Sequence, residues 1–152
     1  MQKLNLPDFK FRFRENKGRE EIFDPVRKIF VALTQEEWVR QNFIQYLAVE
    51  KKVPLSLIGV EKTHTLNTMT RRSDILVFGN SGLPVMVVEC KAPNIEISQL
   101  VFDQVARYNI TLKVKYLVVT NGLNHFCCLI DFGKETYSFL EDIPGFSLLK
   151  QM

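Results

Sequence analysis

Hydrophobic and polar residues alternate along much of the chain, and two segments of helical spacing separate the alternating stretches. Residues 9–14 alternate aromatic and basic side chains, which predicts a β-strand with an aromatic face and a basic face. With short strands predicted at 21–23 and 28–33, this strand forms an N-terminal β-meander. The basic face either lies along a phosphate backbone or faces water on a half-buried edge strand.

Two helices are predicted from capping signals followed by apolar periodicity. Thr34 and Glu37 have the spacing of a capping box, and apolar residues then recur at helical intervals up to Leu47. A second helix is predicted from Ser98 to about Leu112. In both cases the apolar stripe indicates that one face of the helix packs on a core.

The remaining apolar segments predict strands, and residues 67–70 are predicted to form a turn. The order of helix, three strands, helix and further strands predicts an α/β (α+β) sandwich. The predicted strands are 55–66, 75–78, 85–88, 116–120, 126–130 and 136–140, followed by a tail or short helix at 142–152.

Charged residues stand at the open end of the hairpin that strands 75–78 and 85–88 would form. Asp74 enters the first strand, and Glu89 and Lys91 end the second on one face, so folding of the hairpin brings the three together. Adjacent carboxylates repel unless a cation or proton lies between them, and their oxygens are ligands that Mg²⁺ prefers. We therefore predict a metal site with Lys91 oriented toward a water or a developing negative charge. The alternative is a surface hairpin with a Lys–Glu–Asp salt bridge.

The same residues resemble the PD-(D/E)XK nuclease signature, with Ser73-Asp74 before one strand and Glu89-Cys90-Lys91 at the end of the next. Ser73 stands where the name of the motif has proline, a position that varies widely in the superfamily. The longer strings 88–93 and 102–109 resemble the N-terminal nuclease domain of type I restriction enzyme R subunits and the small proteins related to it. The resemblance runs from about Thr34 to Asp131.

The resemblance implies a restriction-endonuclease-like αβββαβ core, with a mixed central sheet flanked by helices. It implies a DNA endonuclease or nuclease module that hydrolyses phosphodiester bonds with Mg²⁺ or Mn²⁺. Asp74 and Glu89 are then the metal ligands, and Lys91 completes the catalytic set.

Further residues receive supporting roles from the resemblance, each with a simpler alternative. Gln104 and Tyr108 share a helix face and resemble the Gln-x-x-x-Tyr motif of R-subunit and RecB-like nucleases, although an ordinary amphipathic helix explains them too. An acid on the first helix often assists the metal in such folds, and Glu37 is the candidate, although capping alone accounts for it. Independently of the resemblance, Arg71 and Arg72 are candidates for a phosphate contact because the guanidinium fork fits phosphate; the alternative is that they are solvated or paired with acids.

Length and composition fit one domain: N-terminal strands at 1–33, a nuclease core at 34–131, and a C-terminal strand and tail at 132–152. Apolar residues at 46% and charged residues at 24% are typical of soluble globular proteins. The net charge of +3 permits nucleic-acid binding without requiring it. Three cysteines without Cys-x-x-Cys spacing argue against a disulfide framework and a zinc site.

The expected partners are DNA and other restriction or repair subunits. The sequence has neither an apolar run of bilayer length nor a P-loop, so we expect no membrane span and no ATP site. The N-terminus lacks the apolar stretch of a signal peptide, which predicts a cytoplasmic protein. Without the motor of a whole R subunit, the alternative function is a catalytically silent nuclease-fold module that binds DNA or docks on a larger complex.

Overall fold

The computed structural model describes residues 1–66 and 69–150, without the side chains of 63–66, 69–72, 108 and 111. The N-terminal part forms an antiparallel sheet of three strands in chain order, which confirms the predicted meander. Its strands are β1 (Phe13–Asn16), β2 (Arg19–Asp24) and β3 (Ile29–Ala32).

Helix α1 (Gln35–Val49) follows directly and begins where the capping residues predict. The Thr34 Oγ1 accepts the backbone N–H of Glu37 at 3.0 Å, which satisfies one of the amides left unpaired at a helix start. Its apolar stripe, which includes Phe43 and Leu47, is fully buried against the main sheet. This packing fixes the first turn of α1 beside the end of the central hairpin.

The main sheet has six strands in sequence order, and every neighbouring pair is antiparallel except the third and fourth strands. Helix α2 (Gln99–Leu112) crosses between the two parallel strands, as a parallel connection requires. The strands are β4 (Ile58–Leu66), β5 (Met69–Phe78), β6 (Pro84–Cys90), β7 (Tyr116–Thr120), β8 (His125–Asp131) and β9 (Thr136–Leu140). A turn of 3₁₀ helix (Leu55–Leu57) precedes β4, and α3 (Phe146–Leu149) follows β9.

The sheet is buried on both faces, one under α1 and the other under α2. Val87 and Val88 on β6 are both fully buried but belong to opposite cores, because successive side chains of a strand point to opposite faces. Cys127 and Cys128 divide in the same way between the two cores, and Cys90 is also buried. Polar groups at the ends of β5 and β6 therefore stand at the edge of a largely apolar interior.

The element order α1, β4, β5, β6, α2, β7 confirms the predicted αβββαβ core. The first strand was predicted too early, because β1 begins at Phe13 and the side chain of Phe11 packs on Trp38 instead. The predicted turn at 67–70 includes Asn67 and Thr68, which lie outside the described residues, and β5 already begins at Met69. In the part of the chain that the structure describes, no helix is long and apolar enough to cross a membrane.

Candidate active site

The register of β5 and β6 brings Asp74 and Glu89 to the same level of the sheet. Among the described residues, the last paired positions at this end are Ile75 and Val88, and the next position on each strand is an acid. Beyond this pair, Asp74 Oδ2 accepts the backbone N–H of Cys90 at 2.7 Å. The Asp74 carboxylate thus lies between two separating strands and replaces a ladder hydrogen bond with one from its side chain.

Glu89 and Lys91 end β6 with different degrees of exposure. Glu89 is 7% exposed, whereas Lys91 is half-buried directly after the strand. The backbone N–H of Lys91 donates to the carbonyl of Thr120 at 2.8 Å, which extends the pairing of β6 with β7 by one bond. The backbone that carries Glu89 and Lys91 is therefore held from the β7 side, while Asp74 holds Cys90 from the β5 side.

Glu36, in the first turn of α1, is electrostatically coupled to this cluster. The residue lies at the surface, but partial desolvation raises the pKa of its carboxyl group, and the negative charge of Asp74 raises it further. The positive charges of Arg40 and Lys91 act in the opposite direction. Glu36 thus shares a neighbourhood with Asp74 and Lys91, and sequence reasoning had assigned the helix acid to its neighbour, Glu37.

Glu37 is buried, and its carboxylate is held by the side chains around it. It accepts hydrogen bonds from Arg40 Nε at 2.9 Å, Arg40 Nη2 at 2.8 Å and Gln41 Nε2 at 3.0 Å, with Arg27 Nη2 at 3.3 Å. Burial alone would raise the pKa of Glu37, but the hydrogen bonds and charges from Arg40, Gln41 and Arg27 lower it overall. In this arrangement Glu37 contacts two arginines, Arg27 and Arg40, and Arg40 in turn contacts Asp74.

Arg40 links α1 to β4 and β5. Its guanidinium is 7% exposed and reaches Glu61 Oε1 at 3.1 Å and Asp74 Oδ1 at 3.3 Å, besides the fork to Glu37. Burial disfavours the charged guanidinium, yet the hydrogen bond and charge of Glu37, with the charge of Asp74, raise the pKa of Arg40 overall. Arg40 is therefore a fixed positive charge against the Asp74 carboxylate.

Glu61 stands on β4 at the position opposite Asp74, between the paired residues Val60–Ile75 and Lys62–Ser73. Its φ of 52° is in the left-handed region, which costs an ordinary side chain about 1–2 kcal/mol. Its carboxylate pairs with Arg40 and, at 3.4 Å, with Arg27 Nη1. Strain of this kind inside a strand often accompanies a functional site.

The N-terminal sheet anchors the far end of this network. Asp24, fully buried at the end of β2, accepts from Arg27 Nε at 2.6 Å and Gln41 Nε2 at 3.0 Å. It also accepts the backbone amides of Val26 at 2.8 Å and Arg27 at 2.9 Å, which shapes the turn before β3. The turn consequently presents Arg27 to both Glu37 and Glu61.

The charged network joins acids and cations from several elements. Among the side chains that the structure describes, its acids are Asp24, Glu36, Glu37, Glu61, Asp74 and Glu89, and its cations are Arg27, Arg40 and Lys91. Within the described residues, no group of three or more His, Cys, Asp or Glu side chains converges closely enough to enclose a metal ion. Mg²⁺ commonly uses one or two carboxylates together with waters and substrate phosphates, and Asp74 and Glu89 carry oxygen atoms of that kind.

The thiol of Cys90 does not compete as a ligand. Burial raises its pKa well above the ordinary value, and the negative charge of Asp74 adds to the effect. A neutral, buried thiol is a poor ligand, because metals bind the thiolate. The donor set at this end of β6 therefore consists of hard oxygen atoms.

A cleft of about 470 Å³ lies beside the network, between the turn after β2 and strand β4. Apolar side chains including Val26 and Ile58 line it, and the exposed Lys28 and Lys62 stand at its rim with Arg27. The cleft thus offers positive charge next to the acidic cluster, which the composition alone did not indicate.

The other predicted site residues are not brought to the cluster by any described contact. Gln104 lies on the exposed face of α2. The side chains of Tyr108, Arg71 and Arg72 lie outside the described residues. Their roles stay predictions.

Sequence reasoning missed Glu36, Arg40 and Glu61 near Asp74, and also Asp24 and Arg27 at the far end of the network. Arg40 had a readable signal, because it follows Glu36 and Glu37 at intervals of four and three, which places acids and arginine on one helix face. Glu36 had the same signal, but the capping-box spacing directed attention to Glu37, whose carboxylate instead binds Arg40, Gln41 and Arg27. Glu61 had no such signal, because the sequence of a strand does not indicate which glutamate has a left-handed backbone conformation.

Residues 35–144 match the family described as type I restriction enzyme R protein N terminus, which is most of the chain. The chain belongs to this family. The match begins with α1 and extends beyond β9, so it contains the αβββαβ core and confirms the resemblance found in the sequence.

A solved structure has a similar fold. It is a fragment of a protein assigned as an HsdR subunit of a type I restriction enzyme from Vibrio vulnificus YJ016, with 21% sequence identity and a TM-score of 0.54. The likeness covers 80% of this chain and 25% of that chain, so this protein spans about a quarter of the relative's length. At this identity the likeness shows the fold alone. A search of curated proteins finds no match.

Proposed function

We propose that this protein is a metal-dependent DNA endonuclease, or the nuclease module of a larger restriction or repair assembly. The observation that supports this most directly is the placement of Asp74 and Glu89 at one level of β5 and β6, with Lys91 two residues after Glu89. Membership of the type I restriction R-protein family makes DNA the expected substrate and other restriction or repair subunits the expected partners.

In the proposed reaction Asp74 and Glu89 would hold Mg²⁺ or Mn²⁺. When bound, the ion would polarise a phosphoryl oxygen and lower the pKa of a coordinated water. The Lys91 ammonium orients the attacking water or offsets charge that builds on phosphorus. The hydrogen bond from the Cys90 amide fixes one oxygen of Asp74, so that the carboxylate is already oriented before substrate arrives.

The proposed DNA backbone contacts use the basic rim of the neighbouring cleft. Lys28 and Lys62 are exposed there and lie next to Arg27 of the network. Phosphate contacts by lysine position a duplex without reading its sequence, and they make binding depend on salt. Arg71 and Arg72 are further candidates for such contacts, and Gln104 and Tyr108 stay candidates for supporting the reacting groups.

The test compares the wild-type protein with Lys91→Ala and Lys134→Ala on supercoiled and linear DNA, with Mg²⁺ or Mn²⁺ and with EDTA. Lys134 is an exposed lysine after β8, so its substitution removes the same charge away from the cluster. We expect metal-dependent cleavage that Lys91→Ala slows by about 100-fold or more, while Lys134→Ala keeps the wild-type rate. Equal loss of rate in both variants, or cleavage insensitive to EDTA, contradicts the proposal.

A second function is favoured by the ion pair between Arg40 and Asp74. A guanidinium already seated on one of the proposed ligands is compatible with a nuclease fold that binds DNA or docks on partner subunits without cutting. For such a module we expect retardation of DNA on gels that weakens steeply with salt, and no metal-dependent cleavage with any of the three proteins. Cleavage by the purified wild-type chain contradicts this alternative.

A further inference from the structure

Arg40 occupies a position in which three carboxylates compete for one guanidinium. Glu37 takes a fork of two hydrogen bonds at 2.8 and 2.9 Å, Glu61 one at 3.1 Å, and Asp74 one at 3.3 Å. Asp74 receives the longest of the four bonds. Its other oxygen is secured separately by the Cys90 amide at 2.7 Å, so it can give up Arg40 without losing its orientation.

Glu61 is placed to retain Arg40 when the contact with Asp74 is lost. It is opposite Asp74 on the neighbouring strand and keeps a left-handed conformation, φ 52°, that ordinary strand residues avoid. Glu37, on the same helix as Arg40, holds the guanidinium from the other side. The structure thus offers Arg40 two alternative partners at the moment when Asp74 binds a different cation.

We propose that Arg40 is a positioning residue that acts as an internal counter-cation for Asp74 and sets the affinity of the site for a divalent metal ion. The proposal deepens the proposed function and rests on it. Arg40 competes with the metal for the Asp74 charge, while Glu37 and Glu61 keep the guanidinium within the network. A unit charge a few ångströms from a divalent cation is worth about tenfold in affinity even at the dielectric constant of water.

A purely supporting role for Arg40 makes a different prediction. Because Arg40 pairs with the buried Glu37, any substitution of it lowers stability, whatever it does to a metal. Metal affinity of the folded protein is the readout that separates the two roles. A supporting residue lowers the melting temperature and leaves the metal dissociation constant unchanged.

The experiment titrates Mn²⁺ into the full chain at fixed pH and salt, and follows free Mn²⁺ by electron paramagnetic resonance at a temperature where circular dichroism shows each protein folded. The variants are Arg40→Gln, which removes the charge, and Arg40→Lys, which keeps it. Arg27→Gln is the matched control, because Arg27 pairs with Asp24, Glu37 and Glu61 in the same network but has no described contact with Asp74. Asp74→Asn locates the binding.

We expect Arg40→Gln to bind Mn²⁺ about tenfold more tightly than wild type, and Arg40→Lys and Arg27→Gln to stay within about threefold of it. Combined with Asp74→Asn, Arg40→Gln should no longer tighten binding. Unchanged or weaker binding by Arg40→Gln, with Asp74-dependent binding in wild type, overturns this inference alone. Absence of Mn²⁺ binding in every protein, or binding that ignores Asp74→Asn, overturns the proposed function and the inference with it.

If Arg40→Gln does not fold, Glu61→Gln replaces it in the test. Glu61 is 32% exposed, so its substitution is tolerated better than that of Arg40. Loss of its charge leaves Arg40 with one partner fewer besides Asp74, and we expect Mn²⁺ binding about tenfold weaker than in wild type. An unchanged Mn²⁺ affinity in Glu61→Gln overturns the inference.

Discussion

Substitution of Glu37 by glutamine tests whether the buried charge network holds the first turn of α1 in place. The change preserves side-chain size but removes the charge that accepts a fork from Arg40 and a longer bond from Arg27. Removing one partner of a buried ion pair costs about 3–5 kcal/mol. Because Arg40 keeps Glu61 and Asp74, and Arg27 keeps Asp24, we expect the lower end, about 3 kcal/mol.

The assay is thermal and urea denaturation of Glu37→Gln beside Glu36→Gln at pH 7. For a chain of this size, about 3 kcal/mol corresponds to a melting temperature lower by about 6–12 °C. Glu36 is the adjacent acid on the same turn and is exposed, so the same chemical change there should alter stability by less than about 0.5 kcal/mol. The comparison isolates burial and pairing from helix propensity.

The pH dependence gives an independent check. The pKa of Glu37 is lowered in the folded protein, so its stabilising charge is fully present above the unfolded value of about 4.5 and is lost as the pH falls through the folded value. The stability difference between wild type and Glu37→Gln should therefore be constant from pH 7 to about pH 5 and shrink below 4.5. A Glu37→Gln protein within 1 kcal/mol of wild type, or a difference that does not narrow in acid, refutes this reasoning.

Two further predictions concern the core. Gly122→Ala should lower the free energy of unfolding in urea by about 1–3 kcal/mol more than Gly82→Ala does. Both glycines have φ near +85°, but only at Gly122 would an added Cβ lie 2.8 Å from Leu4 Cδ2. Equal losses of stability in the two variants contradict the packing described. Cys90, Cys127 and Cys128 should resist Ellman's reagent at pH 8 and react together in urea. Burial raises the pKa of Cys127 and of Cys128 to about 12, which leaves about one thiolate in ten thousand; fast labelling of the folded chain contradicts their burial.

Much of the fold could be predicted because its signals are local. Thr34 caps α1 as its spacing with Glu37 indicates, and the turn formers between the central strands align Asp74 with Glu89 through a register that the hairpin itself fixes. The start of β1 could not be predicted in this way. Its alternating residues continue upstream of Phe13, and only contacts with α1 decide where strand pairing begins.

The charge network was hidden for a physical reason. A sequence shows that Arg40 and Glu37 share a helix face, but the third and fourth partners, Glu61 and Asp74, come from strands whose positions depend on tertiary packing. The left-handed backbone of Glu61 is equally invisible, because glutamate has no preference for it. Which of the two adjacent acids on α1 approaches Asp74 therefore depends on the rotation of the helix.

The dependence of the core on the N-terminal sheet has a practical consequence for anyone who shortens the protein. The family match begins at residue 35, yet Asp24 and Arg27 complete the hydrogen bonds of Gln41 and Glu37 from outside it. Near the chain start, Leu4 belongs to the core under α1. A fragment trimmed to the family boundary would expose apolar surface and would leave buried polar groups without their hydrogen-bond partners. Expression should therefore start at residue 1.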